Sequence, residues 1–334
     1  VLDCRGSDLG PAATVAGAAA VTLRDDAPHV TLVGDERAIT TELARNAHAA
    51  GRIHVVHAPR FVPMDASPRD ALDAAPDASV LVAARLVAEG HADVLVSAGN
   101  TGAVTLACAR TFGRLPGVAR AALGAVVPTE LRRGERRDPF SLLLDAGLTL
   151  DPTADDLVAF AVMGAAYAER ISKNPRPTVA LLSNGGEPGK GTPAVVEAHA
   201  RLAARTDLRF LGNVEGMDIP RGTADVVVTG GFVGNIVLKM LEGVSETVLR
   251  TARAAGERRV RYAAGLWLLA PAIAKVRRVT DWQQYGGVPI LGFDHMCIKA
   301  HGRSTARAVS NALKVATITA RTDLVGAMRQ ALGR

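Results

Sequence analysis

Aromatic side chains are scarce in this chain, at 4% of 334 residues, with 2 Trp, 3 Tyr and 7 Phe. Hydrophobic residues still make up 48%, enough for a sizeable core that Ala, Val and Leu must fill. Cysteine is equally sparse. Cys4, Cys108 and Cys297 lie far apart and include no CxxC pair, which points to a reduced, cytoplasmic protein and away from a disulfide scaffold. No GxSxG elbow, HExxH or Cys/His ligand spacing occurs. Serine-hydrolase and zinc-hydrolase chemistry therefore lack their usual signatures, and neither a metal nor a cofactor is expected. No apolar run reaches the ~20 residues that a membrane-spanning helix needs. Val1-Leu2-Asp3 reads as a strand entered directly, with no leader peptide expected.

Charge is present but unevenly placed. The net charge is +6. Arg132, Arg133, Arg136 and Arg137 cluster in one expected loop, and Arg258, Arg259, Arg261, Lys275, Arg277 and Arg278 flank one apolar segment. Nucleic-acid readers interleave such charge with aromatics or carry a recognisable module. Neither is found, so nucleic acid is not an expected partner, which leaves an anionic lipid surface or an acidic protein.

Apolar strand-like runs alternate with helical patterns. Strands are predicted at Val30–Val33, Ile53–His57, Val94–Ser97, Ala122–Val127, Leu142–Leu144, Thr178–Leu182, Phe210–Leu211 and Asp225–Thr229. Helices are predicted at Asp35–Ala50, Ser79–Glu89, Thr153–Ile171, Thr192–Ala204 and Asn235–Gly256. Continuous apolar strands in βα alternation predict an α/β fold with a mostly parallel sheet covered by helices. Arg132–Pro139 and Lys173–Pro177 are the candidate hinges.

Three glycine-rich turns follow strands: Gly99–Gly102, Asn184–Gly191 and Gly230–Gly234. Ligands bind at the carboxyl edge of open α/β sheets, so three such loops on one edge would surround a small anion. Ser97-Ala98-Gly99-Asn100-Thr101-Gly102 joins a buried strand to a small-residue helix, and a helix start suits phosphate. An ordinary glycine turn explains that segment equally well. Asn184-Gly185-Gly186-Glu187-Pro188-Gly189-Lys190-Gly191-Thr192 resembles a P-loop but lacks its first glycine and the Ser/Thr after the lysine. Lys190 can still hold phosphate as a point charge, the plainer alternative being a solvated lysine. Asn235 either caps the helix after Gly234 or offers its amide to a ligand. Lys299 and His301 share one side of an extended segment, where a structural His is the commoner outcome.

These loops, in this order, resemble the PlsX family of phosphate acyltransferases. The resemblance spans essentially the whole chain. It rests on Val33-Gly34-Asp35; Ser97 to Ala103; Ala161-Val162-Met163-Gly164; Lys190-Gly191; Gly212-Asn213-Val214-Glu215-Gly216; Gly231-Phe232-Val233-Gly234-Asn235 with Leu238-Lys239; Tyr285 to Gly292; and Lys299-Ala300-His301-Gly302. It implies a Rossmann-like fold related to isocitrate and isopropylmalate dehydrogenases and to phosphotransacetylases. The expected architecture is a single two-lobed unit over residues 1–334, with a helical hairpin protruding at about 245–282. The resemblance also implies a homodimer that transfers a fatty acyl group from acyl carrier protein to inorganic phosphate, the acyl phosphate feeding phospholipid synthesis.

On that basis the expected catalytic residues are Lys190, Asn235 and His301. Gly99, Asn100, Thr101, Gly102, Asn184, Gly185, Gly234 and Lys299 would hold phosphate. Departures from the family pattern keep a second reading open: a specialised or non-catalytic paralogue that binds acyl carrier protein or uses another acyl donor or acceptor. The N-terminal segment reads Arg5-Gly6-Ser7-Asp8-Leu9-Gly10-Pro11, with Leu9 where the family has histidine. Asp73 to Ser79 replaces a basic run, Asp145-Ala146-Gly147-Leu148-Thr149 replaces Asp-Val-Gly-Ala-Asn, and Gly230 stands where an acidic residue is usual. Between the basic ends noted above, Leu266, Trp267, Leu268 and Leu269 form an apolar centre. They are the expected contact with an anionic membrane surface, making the protein cytoplasmic and peripherally membrane-associated; a helical hairpin packed at a dimer contact is the alternative.

Overall fold

The computed structural model describes residues 1–133, 138–258, 260–280 and 286–334. Arg136, Arg137, Arg259, Tyr285 and the last two residues of the expected hairpin lie outside the described residues. Along the chain run β1 (Leu2–Asp3), α1 (Gly10–Thr22), β2 (Val30–Gly34), α2 (Glu36–Arg45), β3 (Ile53–His57), α3 (Pro68–Ala74) and α4 (Ser79–Ala88). Next come β4 (Val94–Ser97), α5 (Thr101–Thr111), β5 (Ala122–Arg133), β6 (Asp138–Leu144), α6 (Ala154–Ile171), β7 (Thr178–Leu182), α7 (Pro193–Ala203) and β8 (Arg209–Val214). The remainder is α8 (Asp218–Arg221), β9 (Val226–Val228), α9 (Gly231–Arg258), α10 (Val260–Thr280), β10 (Val288–Leu291), β11 (Met296–Lys299), α11 (Ala306–Arg321) and α12 (Leu324–Leu332).

Among the described residues the strands form one sheet in the order β3-β2-β1-β4-β11-β10-β5-β6-β9-β7-β8. It is mostly parallel and covered by helices, as the βα alternation predicts. Three pairings are antiparallel, β11–β10, β10–β5 and β5–β6. Three reversals leave β4 and β7 running in opposite directions, so the expectation that all three glycine loops share one edge is corrected. Gly99–Gly102 sits at the opposite end of the strands from Asn184–Gly191 and Gly230–Gly234. Twist compensates: the six steps from β4 to β7, at about 20–25° each, accumulate to about 120–150°. A strand reversed and then rotated by that much points back toward its starting direction.

Polar caps set several of the helix starts. Asp35 accepts from the Ala38 N–H at 2.8 Å, Asn100 from Ala103 at 3.1 Å, and Thr153 forms a capping box with Asp156. α2 ends at Arg45, short of the predicted Ala50, because Asn46 turns extended. Small residues fill the core, as the aromatic scarcity requires: Ala83, Ala84, Ala103 and Ala107 are buried alongside an edge-to-face pair, Phe112 and Phe293. All three cysteines are buried free thiols. Of the two candidate hinges, Arg132–Pro139 lies partly outside the described residues, at 134–137, and of its described part Arg133 on β5 pairs with Asp138 on β6. Lys173–Pro177 is the connection from α6 into β7.

Candidate active site

The first group of predicted residues forms around Asp3, at the end of β1. Its carboxylate is buried and accepts from the hydroxyls of Ser79 (2.7 Å) and Ser97 (2.8 Å) and from the Arg5 N–H (3.3 Å). The Ser97 hydroxyl in turn accepts the Gly99 N–H at 3.1 Å. Backbone then meets backbone, since a Cβ on Gly6 would lie 2.7 Å from the Gly99 Cα. Asn100 uses both ends of its amide: the oxygen caps α5, and the nitrogen donates to the Met64 and Ala66 carbonyls at 3.0 and 3.2 Å. The N–H groups of Thr101 and Gly102 keep no partner among the described residues and stand at the positive end of α5.

Lys299, at the end of β11, is buried and donates to the Ala300 carbonyl. Burial pulls its ammonium down to about 8, against the opposing fields of Cys297, Asp3 and Asp8. His301 follows at the rim. Its imidazole is held below the ordinary histidine value by burial first, and then by the Lys239 and Lys299 charges. Lys239 lies on α9, so this electrostatic coupling joins the β11 edge to the helix after β9.

The second group gathers on Asp145, after β6. Its carboxylate accepts N–H bonds from Leu123, Gly147, Leu148 and Thr149. Burial pushes the carboxyl upward, with those backbone donors working against it. Gly234 presses onto the same residue: a Cβ there would lie 1.9 Å from the Asp145 backbone oxygen. α9 begins at Gly231, so Asn235 lies inside the helix and is not its cap. That close approach lets the helix start immediately after the strand. The exposed Asn235 amide is left to project over Gly147, 3.2 Å from where a Cβ on that glycine would sit.

The third group is the Asn184–Gly191 loop. Asn213 on β8 donates to the Glu187 and Lys190 carbonyls at 2.8 and 3.4 Å, and Ser183 contacts Asn184 at 3.4 Å. Gly185 lets the Lys190 stem pass, since a Cβ would be 2.9 Å from its Cγ. Lys190 itself is exposed. Among the described residues the bonds of this loop stay on the β7–β8 side, so it is not tied to the other groups by hydrogen bonds. Sequence reasoning gave no site role to Asp3, Ser79, Asp145, Lys239 or Asn213, although the last four stand in segments compared with the family pattern. Asp3 ends a strand and Asp145 directly follows one, each two or three residues before a glycine, the one signal that could have found them.

On α10, Trp267, Leu268 and Leu269 are exposed and Leu266 is half-buried. Of the flanking basic set, Arg261 has a described side chain, stacked on Tyr262 with its guanidinium 5.1 Å from the ring centre; those of Arg258, Lys275, Arg277 and Arg278 lie outside the description. Among the described residues no helix is long and apolar enough to cross a membrane.

A family model described as a fatty acid synthesis protein matches residues 1–326. The chain is 44% identical to the phosphate acyltransferase of Myxococcus xanthus, over 100% of this chain and 93% of the relative. It is 40% identical to that of Elusimicrobium minutum, over 94% and 90%. Among solved structures, a phosphotransacetylase from Streptococcus pyogenes matches with a TM-score of 0.62 at 17% identity, covering 100% of this chain and 94% of its own. A 4-hydroxythreonine-4-phosphate dehydrogenase from Klebsiella pneumoniae matches with 0.52 at 16%, covering 96% and 98%. These two likenesses establish the dehydrogenase-like fold. With near-complete coverage at such identity, the chain belongs to the phosphate acyltransferase family and is a transferase of acyl groups to phosphate.

Proposed function

We infer that the chain moves a fatty acyl group from acyl carrier protein to inorganic phosphate, supplying acyl phosphate for phospholipid and other lipid synthesis. The observation that carries this reading is the glycine-lined start of α5. Two unpartnered N–H groups there form the positive end of α5, and Lys299, whose ammonium is buried, pairs in register with Ser97 on the strand that leads into the turn. Phosphate is the nucleophile in such a reaction, so no enzyme serine or cysteine is required. One phosphate oxygen bonds to the thioester carbon, the C–S bond breaks, and the carrier sulfur leaves with a proton.

The chain's task is to hold a multiply charged anion against the thioester and stabilise the oxyanion that develops. The Thr101 and Gly102 N–H groups and Lys299 bind the phosphate, in a turn that Gly99 and Asn100 shape through their own hydrogen bonds. Lys190, with Asn184 and Gly185 shaping its loop, offsets charge as the reactants meet. Asn235, placed by Gly234, donates to the phosphate or the oxyanion. His301, neutral near pH 7 because its imidazole is held low, accepts the phosphate proton and returns it to the departing sulfur.

The whole chain acts as one two-lobed unit, with the α9–α10 hairpin as its protrusion. Val233, Ile236, Met240, Val244 and Val248 make one exposed apolar stripe on α9, which supports a homodimer. The exposed Trp267, Leu268 and Leu269 support contact with an anionic membrane surface, to which Arg261 would add attraction.

Acyl phosphate formed from acyl-carrier thioester and phosphate can be trapped with hydroxylamine. Product is expected, with Lys190→Ala and Asn235→Ala each slowed about a hundredfold, the loss typical of one oxyanion donor. Near-normal rates in both variants would refute the site assignment. No product from the unaltered chain would instead favour the paralogue reading, for which exposed Leu9, in place of the family's histidine, is the structural pointer.

A further inference from the structure

At the opposite ends of β7 and β8 from the Asn184–Gly191 loop lies a cavity of about 470 Å³. Its walls are the C-terminal half of α6, the connection into β7, the start of β8 and the end of α12. The five residues of β7, at about 3.3 Å each, separate it from that loop by roughly 16 Å. Arg170, Arg176, Arg209 and Arg334 all line it. Among the described residues none of these four has a carboxylate within ion-pair distance.

Two acidic residues share the wall, Glu169 and Asp207. Asp207 is already committed. Arg205 grips it with two bonds of 2.9 and 2.7 Å, and that contact, with the Arg334 charge adding to it, holds the carboxyl below its ordinary range. Among side chains the cavity is thus strongly cationic, with one uncommitted acid against four uncommitted guanidiniums. Surface arginines ordinarily diverge into solvent or find a carboxylate. Here four, from α6, the connection into β7, β8 and the residues after α12, line one concavity of ligand-binding size.

We propose that this cavity is a binding site for a compact metabolite carrying two or more phosphate groups, separate from the glycine loops. Guanidinium forks match phosphate oxygens two at a time, and an ammonium offers no such planar pairing. A single carboxylate would leave most of the four charges unanswered, whereas a diphosphate answers them together. Val162, Ala166 and Phe210 contribute an apolar wall against which the non-ionic part of the metabolite rests. Binding there bridges α6, β8 and α12 without touching the residues assigned to acyl transfer.

Calorimetric titration of the full chain with inorganic pyrophosphate at physiological ionic strength tests the site. The expected result is saturable binding, weakened about ten- to hundredfold in Arg176→Gln/Arg209→Gln. That variant should form acyl phosphate at the unaltered basal rate and keep its circular dichroism spectrum. Arg37→Gln/Arg45→Gln removes the same charge from α2 and should bind as the unaltered chain does. Four results overturn the proposal: no saturable binding, undiminished binding in the cavity variant, equal weakening in the α2 control, or loss of binding in Lys190→Ala. Since calorimetry does not depend on turnover, failure here is distinct from failure of the acyl-transfer reading.

Discussion

Lys299 offers a quantitative test, because its burial must leave a mark on stability as well as on activity. In the unfolded chain it titrates near 10.5, and in the fold at about 8. The folded value is the lower one, so between the two the unfolded chain holds more protons. Stability attributable to this group therefore rises with pH across that window. Below about 8 the full cost of burying the ammonium is present, on the order of 3 kcal/mol at about 1.4 kcal/mol per pH unit. Between about pH 7 and pH 9.5 roughly 2 kcal/mol of it is relieved. Lys299→Met removes the titration while keeping an unbranched side chain, and Asp3 retains its two hydroxyl donors. Urea unfolding of both proteins at the two pH values isolates the effect, since every other titrating group is common to both. The stability difference between variant and unaltered chain should change by about 2 kcal/mol in the direction that favours the unaltered chain at high pH. A constant difference would mean that Lys299 is not the buried cation described. In parallel, the KM for phosphate should rise as pH passes about 8 and the charge is lost, and in Lys299→Met it should be high with that step absent.

Gly234→Ala would place a Cβ 1.9 Å from the Asp145 oxygen and should cost several-fold more stability than an ordinary surface change. Gly243→Ala, in open space on the same helix, should stabilise by about 0.5–1 kcal/mol; comparable unfolding midpoints for the two would contradict the packing at α9. Ser97→Ala removes the acceptor for the Gly99 N–H and one donor to Asp3. It should cost about 1–3 kcal/mol and reduce turnover; full activity would show that the turn needs no support. Vesicles of anionic lipid should float the chain and shift its tryptophan emission to the blue. Trp267→Ser/Leu268→Ser should abolish both effects, and flotation of that variant would move the contact elsewhere.

Where the sequence carries a polar punctuation mark, the fold could be read directly. Asp35, Asn100, Thr153 and Thr192 each cap the helix expected after them. α1 went unread because its sequence, Gly10 to Thr22, is small and apolar on nearly every side, which erases the helical period. β10 and β11 went unread because four apolar residues apiece are too few to separate strand from helix by pattern. Glycine spacing found the backbone turns of the candidate site but not its supporting carboxylates. Asp3 and Asp145 lie buried beneath those turns, in segments whose composition resembles any strand end.

Strand direction explains why the three glycine loops could be identified individually but not arranged. A glycine turn after an apolar run has the same pattern whether its strand runs up or down the sheet. Direction is decided by β10 and the β5–β6 hairpin, which lie far from those loops in sequence and insert three reversals between β4 and β7. In a flat sheet that arrangement would separate the loops by the full length of the strands. Right-handed twist acts in the other direction, turning the far half through most of a half-circle. The influence of Lys239 on His301 is the sign of that closure, since α9 belongs to the β9 half and His301 to the β11 half. Asn235 and Lys239 both lie on α9, so a site that also uses the Gly99 turn needs the sheet to curve between its halves as much as it needs any residue within them.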